Sequence, residues 1–145
     1  MILIDVNVLV YAFRDDSRRH NEYRHWLESI VASDSAFGVS DVVFSSFIRV
    51  VTNPRIFALP SSHTAAFDFA DKVQGQPNCV LISAGSRHWE IFRTLCVSTG
   101  AHGGGVPDAY IAALAIESGS EVVTADRGFR RFPGLNWRHP LGGEP

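Results

Sequence analysis

Apolar residues crowd the opening stretch, MILIDVNVLV, without the alternation of a half-solvated strand. Such a run predicts a strand over 2–5 covered on both faces, followed by a short helix over 7–13. Further on, NEYRHWLESIVAS (21–33) spaces its apolar residues as a helix does, with Tyr23, Trp26, Leu27 and Ile30 on one face. The same reading predicts a strand at 37–39, a helix over 41–52 that TNP stops at Pro54, a helix over 63–75 and a brief strand at 79–82. A helix over 86–100 ends at a glycine. PDAYIAALAIESG (107–119) is helical, with Pro107 in its first turn and Gly119 at its C-cap. EVVT (121–124) reads as a strand, TADRGF as a turn and LNW (135–137) as a last strand.

Strands separated by helices require crossovers, so the expected fold class is α/β, in three layers, with a mainly parallel sheet between helices. One domain is expected over 1–140, with LGGEP (141–145) as a loose tail. In sheets of this kind ligands bind beyond the carboxyl ends of the strands, where the strand order reverses. Three acids fall there. Asp5 ends the first strand, Asp126 follows EVVT by two residues, and Asp108 opens the helix that leads into EVVT.

Each acid has an ordinary explanation: Asp108 as a complement to its helix dipole, Asp126 as a turn former, Asp5 as an acid held by backbone amides. Taken together they are harder to dismiss. Carboxylates gathered at one sheet edge repel one another unless a cation neutralises them, and Asp5 interrupts an otherwise apolar run where an unpaired charge is costly. Oxygen-rich sites of this type suit Mg²⁺ or Mn²⁺. Asp5 is therefore expected to be a metal ligand.

Composition narrows the picture. The chain is 46% hydrophobic and 19% charged, ordinary for a globular protein, and its net charge of −2 gives no overall pull toward nucleic acid. No apolar stretch approaches the ~20 residues of a membrane span, and no secretory signal is evident, so no membrane association is expected. Cys79 and Cys96 are expected to be reduced core residues of a cytoplasmic protein. Of the thirteen basic residues only Lys72 is lysine. Arginine suits phosphate and bases, although a solvated arginine-rich surface is an equal explanation. Arg127, next to Asp126, and Arg14 and Arg18, after the first short helix, are the candidates for contacts to phosphate. His102, in the glycine-rich loop AHGGGVP, reads as a solvated loop residue.

LIDVNVLVYA, VPDAYIAALAIESG and EVVTADRGFRRFPGL, in this order, resemble the PIN domains, and most closely the VapC-type toxins of bacterial toxin–antitoxin pairs. The middle segment IRVVTNPRIF is similar to one branch of those toxins, and the likeness covers essentially the whole chain. The resemblance implies a Mg²⁺-dependent endoribonuclease acting on RNA, in which Mn²⁺ can substitute, working as a homodimer and inhibited by a cognate antitoxin. Asp5, Asp108 and Asp126 match the acidic positions, and Asn7 and Thr124 match polar positions beside them. One departure stands out. PIN domains commonly carry a further glutamate on the helix after the second strand, and here the matching position is Ser46, a candidate supporting polar residue toward a metal-bound water but expected first to bond back to its own helix.

Other chemistries fit less well. The chain has no HExxH, GxSxG or CxxC, and its histidines lack ligand spacing. An aspartyl-phosphate phosphatase would want an acid at position 7 and a nearby lysine, where this chain has Asn7 and a distant Lys72. The non-enzymatic alternative is a degenerate PIN domain that binds RNA or a protein partner without cutting.

Overall fold

The computed structural model describes residues 1–143. Five short strands, β1 (Ile2–Ile4), β2 (Phe37–Val39), β3 (Cys79–Leu81), β4 (Glu121–Val123) and β5 (Trp137–Arg138), form one sheet in the order β3-β2-β1-β4-β5. Every neighbouring pair is parallel. Leu3 and Ile4 of β1 and Val122 and Val123 of β4 are fully buried, as the unbroken apolar runs require.

Six helices connect these strands: α1 (Val6–Phe13), α2 (His20–Val31), α3 (Asp41–Val51), α4 (His63–Gln74), α5 (His88–Thr99) and α6 (Gly105–Ser118). Parallel crossovers are right-handed, so the sense in which the chain moves across the sheet decides the face each helix covers. From β1 through β2 to β3 the chain moves one way, which puts α1 to α4 on one face. The return from β3 to β4 puts α5 and α6 on the other. The packing agrees, with α1 against α2 and α3, α3 against α4, and α5 against α6. This is the three-layer α/β/α arrangement expected. The direction reverses between β1 and β4, so their carboxyl ends flank the switch point.

Several boundaries move. α6 begins at Gly105, two residues before Pro107, which still lies in its first turn, and Gly119 closes it in the left-handed conformation (φ +69°). The TADRGF turn tightens into a 3-10 helix over Arg127–Arg131, and the last strand slides to Trp137–Arg138. The tail is firmer at its start than its composition suggests. Leu141 packs against the core and its N–H donates to His139 Nδ1 at 3.2 Å, while 144–145 lie outside the described residues. Cys79 and Cys96 are free, as expected, but half-buried rather than core. Cys79 lies on edge strand β3, where one side has no neighbouring strand, yet burial still raises its thiol pKa. Among the described residues no helix is long and apolar enough to cross a membrane.

Candidate active site

β1 ends where the Asp5 N–H donates to the Val123 carbonyl of β4 (3.0 Å), and the chain turns at once into α1. Asp5 caps that helix, its Oδ1 accepting from the Val6 N–H at 2.8 Å. Its Oδ2 accepts from Thr124 Oγ1 (2.7 Å) and Asn7 Nδ2 (3.1 Å). The Asn7 amide also donates to Thr124 Oγ1 (3.1 Å), and its Oδ1 accepts from the Ala125 N–H (3.0 Å). Thr124 Oγ1 accepts in turn from the Asp126 N–H at 3.0 Å. The D-x-N that follows β1 and the T-x-D that follows β4 thus lock together just beyond the carboxyl ends of the two strands. Asp126 then caps the 3-10 turn by accepting from the Gly128 N–H at 2.7 Å.

Asp5 is 4% exposed, every donor to it is neutral, and no ion pair among the described residues reaches it. Burial is the largest influence on its carboxyl, pushing the pKa up to about 6. The bonds from Thr124 and Val6 oppose the rise, and the charges of Asp108 and Asp126 add to it. Asp108, in the first turn of α6, is also raised, first by burial and then by Asp126, against the pull of Arg131. Arg131 donates to Asp108 Oδ2 at 3.1 Å and to the Gly128 carbonyl at 2.7 Å. The three acids therefore sense one another, and one cation already leans on one of them.

All three line a cleft of about 370 Å³ that crosses the carboxyl edge of the sheet, from α6 over α1 to α3. They do not close on a common point. Among the described residues no three His, Cys, Asp or Glu side chains are close enough to hold a metal ion as they stand. The reason is visible in their bonds: Asp108 is drawn to Arg131, Asp126 to Gly128, and Asp5 to Thr124 and Asn7.

The arginine expectations fare unevenly. Arg14 is corrected. Its guanidinium is buried, donating to Asp16 Oδ1 (2.9 Å), the Leu59 carbonyl (2.8 Å) and Ser61 Oγ (3.0 Å), and it lies 4.0 Å from the Phe57 ring centroid. Four of its five N–H groups are committed inside the fold, so Arg14 serves the structure first. Arg127 and Arg18 are exposed but are not part of the cleft walls, and His102 is an exposed loop residue as expected. Two residues escaped the sequence reading. Arg131 reaches Asp108, and Arg49 of α3 lines the cleft.

Comparison with known proteins follows the same residues. The PIN-domain profile matches residues 2–135. The chain belongs to the PIN-domain family. Ribonuclease VapC43 of Mycobacterium tuberculosis is 44% identical over 144 residues, 99% of this chain and 98% of the relative. Two solved structures share the fold. The VapBC2 assembly of Rickettsia felis, bound to a DNA fragment from its promoter, matches with a TM-score of 0.69 at 20% identity, covering 96% of this chain and 98% of that one. VapC20 of Mycobacterium tuberculosis, described as a sarcin-ricin loop cleaving toxin, gives 0.66 at 14%, covering 94% and 99%.

In this PIN domain the position of the expected fourth acid is Ser46, and it lines the cleft. Thr52 and Ser118 bond back to carbonyls one turn earlier, but Ser46 makes no such bond among the described residues, contrary to expectation. Ser46 brings one charge fewer to the cleft lining than a glutamate would.

Proposed function

We propose that the protein is a metal-dependent endoribonuclease toxin that hydrolyses RNA phosphodiester bonds and is neutralised by a cognate antitoxin. One observation carries the reading: a buried Asp5 carboxylate without a cation, in a cleft shared with Asp108 and Asp126 at the switch point of the sheet. Its relatives support the substrate, since VapC43 bears the name of a ribonuclease, and the VapBC2 assembly supports a protein partner.

The donor set fits a hard divalent cation, because it offers carboxylate oxygens and no sulfur or imidazole. Asp5, Asp108 and Asp126 would hold Mg²⁺, or Mn²⁺ in its place, which when bound supplies a polarised water and neutralises charge on the scissile phosphate. Asn7 and Thr124 fix the direction of Asp5 and hold it against the repulsion of the other acids. The exposed Arg127 and Arg18 lie outside the cleft walls and would hold RNA phosphates that run past it. An antitoxin would cover the cleft with a basic side chain, the role Arg131 plays within the chain. A cytoplasmic homodimer completes the reading, supported by Trp89 and Val97 of α5, apolar and 63% and 78% exposed.

A second reading, a degenerate PIN domain that binds RNA without cutting, draws on the open spacing of the three acids. Incubation with structured RNA separates the two. New RNA ends are expected in Mg²⁺ or Mn²⁺ and none with chelator. Binding without cleavage in either ion would favour the second reading, and full cleavage under chelation would end the metal-dependent one.

A further inference from the structure

The lining of the cleft is of two chemical kinds. Apart from the acids and their neighbours it includes Tyr11, Arg49, Val50, Ile56 and Phe57, and we refer to these as its apolar end. Ile56 is 51% exposed, while Tyr11, Val50 and Phe57 are partly buried. They are not there for want of structure. The Asn53 carbonyl accepts from the Ile56 N–H (3.1 Å) and the Phe57 N–H (3.0 Å), and Asn53 Oδ1 accepts from the Arg55 N–H (2.9 Å). The Ser61 N–H donates to the Val51 carbonyl at 2.8 Å, closing the loop onto the end of α3. Arg14 clasps the same loop from beneath, through Leu59 and Ser61, with its guanidinium against the Phe57 ring. The wall is therefore built before any ligand arrives, and a partner need not order it.

Arg49 sits on this wall, exposed, with no hydrogen bond or ion pair among the described residues. A free guanidinium offers a planar fork for phosphate, and a rigid apolar and aromatic wall offers a face for an unpaired base. The two line one cleft, which the carboxylates also line. We propose that this end is a nucleotide subsite: an unpaired base of the RNA packs against Phe57 and Ile56 while Arg49 pairs with the adjoining phosphate. The proposal takes its ligand class from the ribonuclease reading. Arg14 serves the subsite by holding its wall in place. The loop over 53–61 then selects the base, while the acids carry the chemistry common to any sequence.

The experiment is fluorescence anisotropy of labelled oligoadenylate and oligouridylate with the whole protein in chelator, where no cleavage confuses binding. Phe57→Leu should weaken oligoadenylate binding about tenfold and oligouridylate binding less, because stacking favours the larger base. Ile56→Ser, at a half-exposed side chain, should move in the same direction without loss of folding. Arg49→Gln should weaken both oligomers severalfold and lower the salt slope by about one. Melting curves establish that each variant is folded. The proposal is overturned if folded variants bind both RNAs as wild type does, which would leave the wall to a protein partner, or if wild type binds neither. Failure of the two readings is distinguishable. Phe57-dependent binding by a protein that never cleaves leaves the subsite standing and removes the nuclease. Cleavage with unchanged site preference in Phe57→Leu does the reverse.

Discussion

The two edges of the sheet invite a comparison that size alone would decide wrongly. At the amino ends of the strands lies a cavity of about 860 Å³, lined by Met1, Phe37, Glu121 and Trp137 among others, more than twice the volume of the acidic cleft. Its charged pair is settled: Arg138 Nε meets Glu121 Oε1 at 2.7 Å, with both side chains exposed. Such a pair contributes little and asks for nothing. At the carboxyl edge the smaller cleft holds Asp5, buried and without a cation, beside two further acids. Chemistry collects where the fold leaves charge unbalanced, and the parallel sheet brings its loops and helix starts to that edge.

The widest separation between the edges is expected in catalysis. Asp108→Asn and Asp126→Asn should each lower metal-dependent RNA cleavage by roughly 100-fold or more, as losing an electrostatic contact to the reacting centre does. Glu121→Gln, at the other edge, should change it by no more than about twofold on the same grounds. Equal losses at both edges would erase the distinction.

The next effect is on stability. In metal-free protein the Asp5 carboxyl titrates at about 6, against 3.8 for the unshifted group. The folded state holds the proton more tightly, so the unfolded chain ionises first and is favoured as pH rises between those values. This group alone should lower unfolding free energy by about 3 kcal/mol across that window, and by nothing more above it. The loss is absent in Asp5→Asn. Denaturant titrations of both proteins at about pH 4 and about pH 7 should show the variant gaining on wild type as pH rises. A pH-independent gap would mean that Asp5 carries no desolvated charge.

Smaller effects sharpen the electrostatics of the cleft. Ser46→Glu places a carboxylate in the lining of the cleft that the acids share and should tighten Mn²⁺ binding about tenfold. Unchanged affinity in a folded variant would mean that α3 stands too far from the ion. Arg131→Gln removes the cation that competes for Asp108. Because that pair is partly exposed, with side chains 36% and 28% accessible, the gain in Mn²⁺ affinity should be only about twofold to fivefold.

Much of this was legible beforehand because it rests on period and order. Unbroken apolar runs marked β1 and β4, helical spacing marked α2 and α6, and parallel topology then placed Asp5, Asp108 and Asp126 together. Arginine direction was not legible. Arg14 and Arg127 look alike in the sequence, yet one is spent inside the fold and the other is free at the surface. Arg49 left a trace that could have been followed. It lies three residues after Ser46 on α3, so a helix that turns Ser46 toward the cleft turns Arg49 toward it too. Arg131 left none, since its reach to Asp108 depends on a 3-10 turn that the sequence suggested only as a turn.

The most direct measurement is thermal melting of metal-free protein near neutral pH, with and without added Mn²⁺, for wild type and Asp5→Asn. An ion that binds the folded state alone raises its stability by mass action. Wild type should melt several degrees higher with Mn²⁺, and Asp5→Asn should not move. Equal shifts in both proteins, or none in wild type at millimolar Mn²⁺, would contradict the claim that the buried carboxylate at the switch point is there to hold a cation.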